Sequence, residues 1–328
     1  RLAYDELLAN ALALMLVRAS NRRASGQPLA GDGSLRARLT LPFALTGAQV
    51  RSIAEIEGDM AQASPMLRLL QGDVGSGKTV VALSAMLVAV EAGAQAALLA
   101  PTELLARQHY ETIRRMAAAT GVNVALLTGR DKGKAREAVL MGLLSGEVQI
   151  CIGTHAIFQE AVSYKNLGLV VIDEQHRFGV GQRLMLTQKG RRTPHCLAMT
   201  ATPIPRTLTL AQYGEMDVSR LDELPPGRQA IDTRVVAVER MGDVVGALSR
   251  HIAGGGQAYW VCPMVRENEV DDLAAAEARH AELKARFGET VVLVHGQLRP
   301  EAKDAAMEKF ASGKAQLLVA TTVIEVGV

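Results

Sequence analysis

Eight consecutive residues have the types and spacing of a phosphate-binding loop, GxxxxGK[ST]. They follow a short apolar run and open a helical stretch, so backbone N–H groups and a helix N-terminus could surround a phosphate. A glycine-rich turn without a ligand is the alternative. The spacing predicts a nucleotide site made of Gly72, Asp73, Val74, Gly75, Ser76, Gly77, Lys78 and Thr79.

Two residues of this loop have specific expected roles. The Lys78 ammonium would reach the β and γ phosphates, and the Thr79 hydroxyl would bind Mg²⁺. A dinucleotide fingerprint does not fit, because Val80 stands where that pattern needs glycine or alanine. The loop therefore predicts a nucleoside triphosphate with Mg²⁺.

A pair of carboxylates ends another apolar run, Leu169 to Ile172. Asp173 would hold the Mg²⁺, directly or through water, and Glu174 would act as general base on an attacking water. Alone, the pair could be a solvated strand terminus. Together with the phosphate-binding loop it predicts triphosphate hydrolysis, with Lys78, Asp173 and Glu174 as the catalytic residues.

The elements that must position these residues are predicted by short apolar runs that alternate with helical stretches from Pro42 onward. Because these runs are apolar on both faces, they indicate buried parallel strands with crossover helices. The first series is Met66 to Leu70, Ala96 to Ala100, Val122 to Leu127, Val148 to Ile152, Leu169 to Ile172 and Cys196 to Met199. A second series is Ile231 to Val236, Ala258 to Cys262, Val291 to Val294 and Gln316 to Ala320.

The two series predict an α/β fold with two tandem parallel-sheet lobes. A short N-terminal helix and an exposed linker would occupy residues 1–41, and the first lobe residues 42–214. An interlobe linker would cover 215–230, where two prolines and a glycine interrupt the pattern, and the second lobe 231–328. Since the last run stops inside a strand and turn, we expect a C-terminally truncated second lobe and a chain that is a fragment.

Composition excludes several classes of protein. The chain has 328 residues, of which 48% are hydrophobic and 21% charged, which is ordinary for globular domains. Its longest stretch without a charge, Ile252 to Val265, falls well short of the roughly 20 apolar residues that a membrane span needs. The net charge of +2 predicts no particular partner. Three separated cysteines favour a reduced, cytoplasmic compartment without a structural zinc.

Further sequence blocks occur in the order found in superfamily 2 helicases, which the chain resembles from about Pro42 to its last residue. These blocks are Pro101 to Gln108, Thr128-Gly129, Gly153-Thr154-His155, Thr200 to Pro203 and Ala320 to Val328. Within the superfamily, the branched-DNA translocases are the most similar group. That similarity rests on Pro42 to Gln49, Met66 to Thr79, Asp173 to Gly179 and Thr202 to Leu208.

The resemblance implies two RecA-like lobes and a 3′ to 5′ DNA helicase that uses ATP and Mg²⁺. Phe43 and Gln49 would recognise the adenine, by stacking and by a bidentate amide. The residues expected to follow a DNA backbone are Thr102, Gly129, Thr154, His155, Thr321 and Thr322. Gln175, His176, Thr200 and Thr202 would couple the γ-phosphate to lobe motion.

The resemblance also implies partners and missing parts. It implies fork regression and Holliday junction branch migration in recombination and repair, with R-loops and single-stranded DNA-binding protein as further partners. A bacterial, cytoplasmic, nucleoid-associated monomer is expected. The N-terminal helix would belong to a missing wedge domain. The arginine-finger motif would lie beyond Val328, so we expect this chain to bind ATP and hydrolyse little of it.

Three alternatives compete with this interpretation. DEAD-box RNA helicases have Asp-Glu-Ala-Asp and Ser-Ala-Thr, where this chain has Asp-Glu-Gln-His from Asp173 and Thr-Ala-Thr from Thr200. The transcription-repair coupling factor shares the block that starts at Asp173, but it carries a bulky residue at the position of Ser76. A binding module that has lost turnover is the third, and the presence of Lys78 and both carboxylates argues against it.

Overall fold

The computed structural model describes residues 26–174, 192–201, 216–223, 231–262 and 269–321. The chain forms two compact units, Arg1–Arg228 and Gln229–Val328. Among the described residues, each unit is built around its own parallel sheet. The α/β class with two parallel-sheet lobes is therefore confirmed.

The first unit contains a seven-stranded sheet with the strand order β3-β4-β2-β5-β6-β1-β7. Every neighbouring pair is parallel. Six of the strands overlap the six apolar runs predicted for this lobe. The strands are β1 Leu67–Gly72, β2 Gln95–Leu99, β3 Val124–Leu127, β4 Ile150–Gly153, β5 Leu167–Ile172, β6 His195–Thr200 and β7 Asp217–Leu221.

Among the described residues of the first unit, four α-helices cover this sheet: α1 Gly47–Met60, α2 Lys78–Glu91, α3 Glu103–Met116 and α4 Gly133–Ser145. Short 3₁₀ helices occur at Arg36–Arg38, Ala118–Thr120 and His155–Phe158. Helix α2 is apolar on all sides, and Val80 to Val90 are all buried. Because the helix that begins in the phosphate-binding loop lies in the core, the loop is anchored on a rigid element.

The second unit has a three-stranded parallel sheet with the order β8-β10-β9. Its strands are β8 Ala258–Cys262, β9 Val291–Val294 and β10 Leu317–Thr321. The helices are α5 Met241–Ala253, α6 Glu269–Phe287 and α7 Pro300–Ala311, with 3₁₀ turns at Val238–Arg240 and Gly288–Thr290. Its core is small and is formed by Leu283, Val291, Leu317 and Val319.

Two sequence expectations about strands are wrong. Residues 231–237 form no regular element, and Val235 is fully exposed, because no described strand pairs with this segment. Conversely, Asp217–Leu221, which the predicted 215–230 linker included, is strand β7 and pairs with β1 at the edge of the first sheet. The segment is too polar to resemble a buried strand, but an edge strand tolerates polar residues.

The prediction of an exposed linker up to residue 41 is also wrong for the part that the structure describes. Leu29 is completely buried, and its N–H donates to the Met60 carbonyl at the end of α1. The Glu91 carboxylate at the end of α2 accepts from the N–H groups of Gly33, Leu35 and Arg36, at 3.1, 2.8 and 3.2 Å. This segment belongs to the first lobe. The predicted helix from Leu2 to Val17 lies outside the described residues.

A buried histidine fixes the same segment to the sheet. The His195 Nδ1 accepts from the Met66 N–H at 2.9 Å, and its Nε2 donates to the Gln27 carbonyl at 2.7 Å. Both contacts require the neutral imidazole with its proton on Nε2. Accordingly, burial lowers the pKa of His195 below the usual 6.5.

Candidate nucleotide and nucleic-acid site

Apart from Phe43 and Gln49, which come before the first strand, the described site residues predicted for the first unit lie at the carboxyl ends of parallel strands, at one edge of the sheet. The other residues of the nucleotide set lie after β1, β5 and β6, which are adjacent in the order β5-β6-β1. The nucleic-acid set follows the other adjacent group, β3-β4-β2. The strand order therefore separates the two predicted sets into neighbouring halves of one edge.

The phosphate-binding loop has the backbone geometry that its glycines predict. Gly75 and Gly77 have φ values of +76° and +87°, which favour glycine, and Gly77 is the N-cap of α2. A Cβ on Gly72 would lie 2.5 Å from the Ser76 Oγ, so both positions require small residues. The loop and the first turn of α2 thus form a cradle that a phosphate group fits.

Lys78 lies inside this cradle. Its Nζ donates to the Gly72 and Asp73 carbonyls, at 2.7 and 3.0 Å. Burial lowers the pKa of Lys78, while the charges of Asp173, Glu174 and Asp73 act in the opposite direction. The predicted carboxylates therefore lie near enough for their charges to act on the Lys78 ammonium.

Gln49 has a different structural role from the one expected. It is buried in the capping box that starts α1: its Oε1 accepts from the Thr46 N–H at 2.9 Å, and its own N–H donates to the Thr46 Oγ1 at 3.2 Å. Its Nε2 donates to the Ser76 carbonyl at 2.8 Å. Gln49 therefore holds the phosphate-binding loop, and adenine recognition by this amide stays a prediction.

Phe43 is 45% exposed, which is unusual for a phenylalanine. The ring is free to stack on a flat base. Adenine stacking by Phe43 also stays a prediction.

Asp173 has a partner that the sequence analysis missed. The His109 Nε2 lies 2.7 Å from the Asp173 Oδ2, and the Glu174 N–H donates to the Oδ1 at 3.1 Å. His109 belongs to α3 and directly follows the Pro101 to Gln108 block. That position beside a helicase block is the one feature of the sequence that could have indicated His109. The contact itself could not be predicted, because His109 and Asp173 are 64 residues apart in the chain.

Glu174 has a strained backbone and bridges two sequence blocks. Its φ of +49° is the only positive φ among the described non-glycine residues. Its Oε1 accepts from the Ala201 N–H at 3.3 Å, which connects the end of β5 to the segment after β6. Strain of this kind persists where the surrounding structure imposes it and is concentrated at functional sites.

The predicted Mg²⁺ ligands suit that ion. The described residues contain no cluster of three or more side chains that could hold a metal alone. Mg²⁺ usually keeps several waters and takes one or two carboxylates plus substrate phosphates. Thr79 and Asp173 would therefore hold Mg²⁺ together with a nucleotide. The bound ion would neutralise part of the negative charge of the phosphates.

The nucleic-acid set of the first unit is only partly accessible. Thr102 caps α3 by accepting from the Leu105 N–H at 3.3 Å, and Gly129 is exposed. Thr154 is buried as the cap of a 3₁₀ turn, whereas the adjacent His155 is exposed. A Cβ on Gly153, the residue before Thr154, would lie 1.9 Å from the Leu127 carbonyl oxygen.

The remaining site residues divide by what the structure describes. Thr200 is buried at the end of β6, and Thr321 is buried at the end of β10 in the second unit. The predicted residues Gln175, His176, Thr202 and Thr322 lie outside the described residues. Their expected roles stay predictions.

Comparison with known proteins identifies the family. The model for DEAD/DEAH box helicases matches residues 46–210, and the model for the helicase conserved C-terminal domain matches residues 239–328. The chain belongs to the DEAD/DEAH box helicase family. This helicase family match holds although the carboxylate block continues as Gln-His after Glu174.

Curated helicases named ATP-dependent DNA helicase RecG are similar over the whole chain, which confirms the resemblance to DNA helicases. The protein from Escherichia coli strain K12 is 51% identical, and the chain covers 48% of its length. The proteins from Streptococcus pneumoniae and Thermotoga maritima are 46% and 45% identical, with 49% and 42% of their lengths covered. The chain thus spans about half the length of these relatives.

Solved helicase structures agree with this fold. A structure described as RecG bound to a three-way DNA junction aligns with the whole chain, at 42% identity and a TM-score of 0.84, and 43% of that chain is covered. The DEAD-box helicase Mss116 bound to single-stranded RNA aligns with 89% of this chain and 64% of its own, at 16% identity and a TM-score of 0.67. The latter likeness shows the fold alone. Among the described residues, no helix combines the length and apolar character needed to cross a bilayer.

Proposed function

We propose that this chain is the ATP-hydrolysing motor region of a DNA helicase that remodels branched DNA. One observation supports the proposal: a single sheet edge carries the phosphate cradle with Lys78, the carboxylates of Asp173 and Glu174, and, on the adjacent strands, the residues predicted to contact nucleic acid. The similarity to RecG supports DNA, and specifically branched DNA, as the substrate.

The chemistry proposed for the site follows from its geometry. The loop N–H groups, the α2 N-terminus and Lys78 bind the β and γ phosphates. Asp173 and Thr79 hold Mg²⁺, which supplies charge neutralisation when bound. Glu174 accepts a proton from the attacking water, and its contact with the Ala201 N–H orients the carboxylate. This contact also gives hydrolysis a physical connection to the predicted coupling block Thr200 to Thr202.

The finer assignments belong to the same proposal. They comprise 3′ to 5′ translocation, fork regression, Holliday junction branch migration, and a role in recombination and repair by a nucleoid-associated monomer. R-loops and single-stranded DNA-binding protein are proposed as further partners. The domain organisation, with a wedge domain before the first lobe, is likewise proposed.

The test compares two proteins: this chain, and a version extended to the length of the RecG relatives. Phosphate release is measured with a fork, a four-way junction and linear duplex at several salt concentrations. The extended protein should be stimulated most by branched DNA, and its affinity should fall steeply with salt, because phosphate contacts release counterions. This chain should bind ATP without DNA-stimulated hydrolysis. The reason is that the arginine finger, which contributes about 10³ to 10⁵ in turnover, is proposed to lie beyond Val328.

The outcomes separate the competing functions. No ATP turnover by the extended protein on any DNA would support a binding module and contradict the proposal. Equal stimulation by linear and branched DNA would leave a helicase but remove branched-DNA specificity. DNA-stimulated hydrolysis by the 328-residue chain alone would contradict the assignment of a required arginine beyond it.

A further inference from the structure

We propose that His109 is a positioning residue that holds the Asp173 carboxylate in the orientation that binds Mg²⁺. The inference rests on the proposed function, because it takes Asp173 to be the Mg²⁺ ligand. None of the sequence blocks assigned to nucleotide chemistry contains His109. Its evidence is a contact that only the folded chain creates.

The contact is short and protected from solvent. The His109 Nε2 and the Asp173 Oδ2 are 2.7 Å apart, and the two side chains are 13% and 10% exposed. An ionised carboxylate only accepts hydrogen bonds, so the Nε2 is the donor. A hydrogen bond to a carboxylate in a site that excludes most water is stronger than a neutral one in water.

The carboxylate is held at both oxygens. His109 donates to the Oδ2, and the Glu174 N–H donates to the Oδ1 at 3.1 Å. Two donors on different oxygens fix the rotation of the carboxylate plane. Each oxygen has capacity for a further interaction, which is available to the metal or to a metal-bound water.

Helix α3 places the imidazole rigidly. Ala106 and Ile113, three residues before and four residues after His109, are completely buried. Residues at these spacings share one helix face, so His109 lies on the face that packs on the sheet. The imidazole is therefore positioned by the buried face of an amphipathic helix, independently of the strained backbone at Glu174.

A histidine suits this position better than a lysine or an arginine. The long side chain of a lysine or an arginine would place a permanent cation against the Asp173 carboxylate and compete with Mg²⁺ for the same oxygens. The imidazole donates a single hydrogen bond to Asp173 and leaves the remaining lone pairs of both oxygens for the metal. Donors of this kind behind a metal ligand typically contribute 10- to 100-fold in metal affinity.

The experiment measures nucleotide binding, which does not require hydrolysis. A fluorescent ATP analogue is titrated into the 328-residue chain in Mg²⁺ and again in EDTA, and the ratio of the two dissociation constants gives the Mg²⁺-dependent gain. His109→Ala and the larger His109→Leu should reduce this gain about 10- to 100-fold and leave the EDTA affinity unchanged. His109→Gln should restore most of it, because its amide offers an N–H donor at similar reach.

A matched control tests for general damage to α3. Ile113→Val removes one methyl-sized group from the same buried face, costs about 1 kcal/mol of stability, and should leave the gain unchanged. An unchanged gain in both His109→Ala and His109→Leu would overturn the proposal. So would a His109→Gln protein as weak as His109→Ala, or an equal loss of affinity in EDTA.

Failure of the proposed function gives a different pattern. If the unmodified chain bound no nucleotide in either condition, the assignment of the nucleotide site would be wrong. The same would follow if the chain bound nucleotide and Lys78→Ala left its affinity unchanged. If the unmodified chain bound nucleotide equally well in Mg²⁺ and EDTA, Asp173 would not be a Mg²⁺ ligand in this state. That result would overturn the positioning role of His109 and leave the nucleotide site standing.

Discussion

The left-handed backbone at Glu174 allows stability and catalysis to be separated at one residue. Its φ of +49° costs a non-glycine residue about 1 to 2 kcal/mol, and glycine adopts this conformation freely. Replacement by alanine keeps the strain and removes the hydrogen bond from the Ala201 N–H, whereas replacement by glycine removes both. Glutamine keeps both the strain and the carbonyl acceptor.

These differences give an order of stability. Losing the Ala201 hydrogen bond costs about 1 kcal/mol, so Glu174→Ala should be destabilised by about that amount. In Glu174→Gly, the relief of strain is offset by about 0.5 kcal/mol from the greater freedom of glycine in the unfolded chain. Glu174→Gly should therefore be about 1 kcal/mol more stable than Glu174→Ala, and Glu174→Gln should resemble the parent protein.

Two measurements test this order. For a domain of 150 to 250 residues, about 1 kcal/mol corresponds to roughly 2 to 4 °C in Tm, so thermal unfolding should show Glu174→Gly melting above Glu174→Ala. In the extended protein, all three variants should lose about 10² to 10⁴ in hydrolysis rate and still bind ATP. An alanine variant at least as stable as the glycine variant would refute the strain argument. Normal turnover in the glutamine variant would show that Glu174 is not the base.

Three further predictions concern other parts of the first unit. Lys78→Ala should abolish nucleotide binding measured by calorimetry, whereas Lys165→Ala, at the opposite edge of the sheet, should not; unchanged affinity in the first variant would disprove the phosphate cradle. Because burial lowers the pKa of His195 below 6.5, the folded state favours the neutral imidazole, so stability should be complete above about pH 6.5 and should fall as the pH decreases below it. His195→Gln should flatten this dependence of Tm on pH, and an identical slope would contradict the assignment. Gly153→Ala should lose more than about 2 kcal/mol in denaturant unfolding because its Cβ would meet a backbone oxygen, whereas Gly58→Ala, which meets nothing and lies inside a helix, should gain up to about 1 kcal/mol; similar effects would refute the close-approach argument.

Local patterns predicted the parts of the fold that depend on local chemistry. The phosphate-binding loop needs glycines at fixed offsets, and buried parallel strands such as β1 and β5 are continuous apolar runs, so both were visible in the sequence. The same logic placed Asp173 and Glu174 after a strand.

The parts that were missed depend on contacts between distant residues. The β7 strand is polar, and only its pairing with β1 makes it a strand. The composition of the segment around Leu29 is typical of a linker, because the contacts that fix the segment are made by backbone N–H groups and leave no pattern in the side chains. His109 is one histidine on an amphipathic helix, and nothing local indicates that a carboxylate from β5 reaches it.

The hydrogen bonds between the Glu91 carboxylate and the segment Gly33 to Arg36 determine where a recombinant fragment of this lobe should start. A protein that begins at Pro42, where the sequence suggests that the lobe begins, would lack the three N–H donors of Gly33, Leu35 and Arg36. Its Glu91 carboxylate would lose those partners, and the site filled by Leu29 beside α1 would be empty. Such a fragment should express poorly or aggregate. A fragment that starts at or before Gly26 retains the N–H donors that bind Glu91 at the C-terminal end of α2, the helix that begins in the phosphate-binding loop.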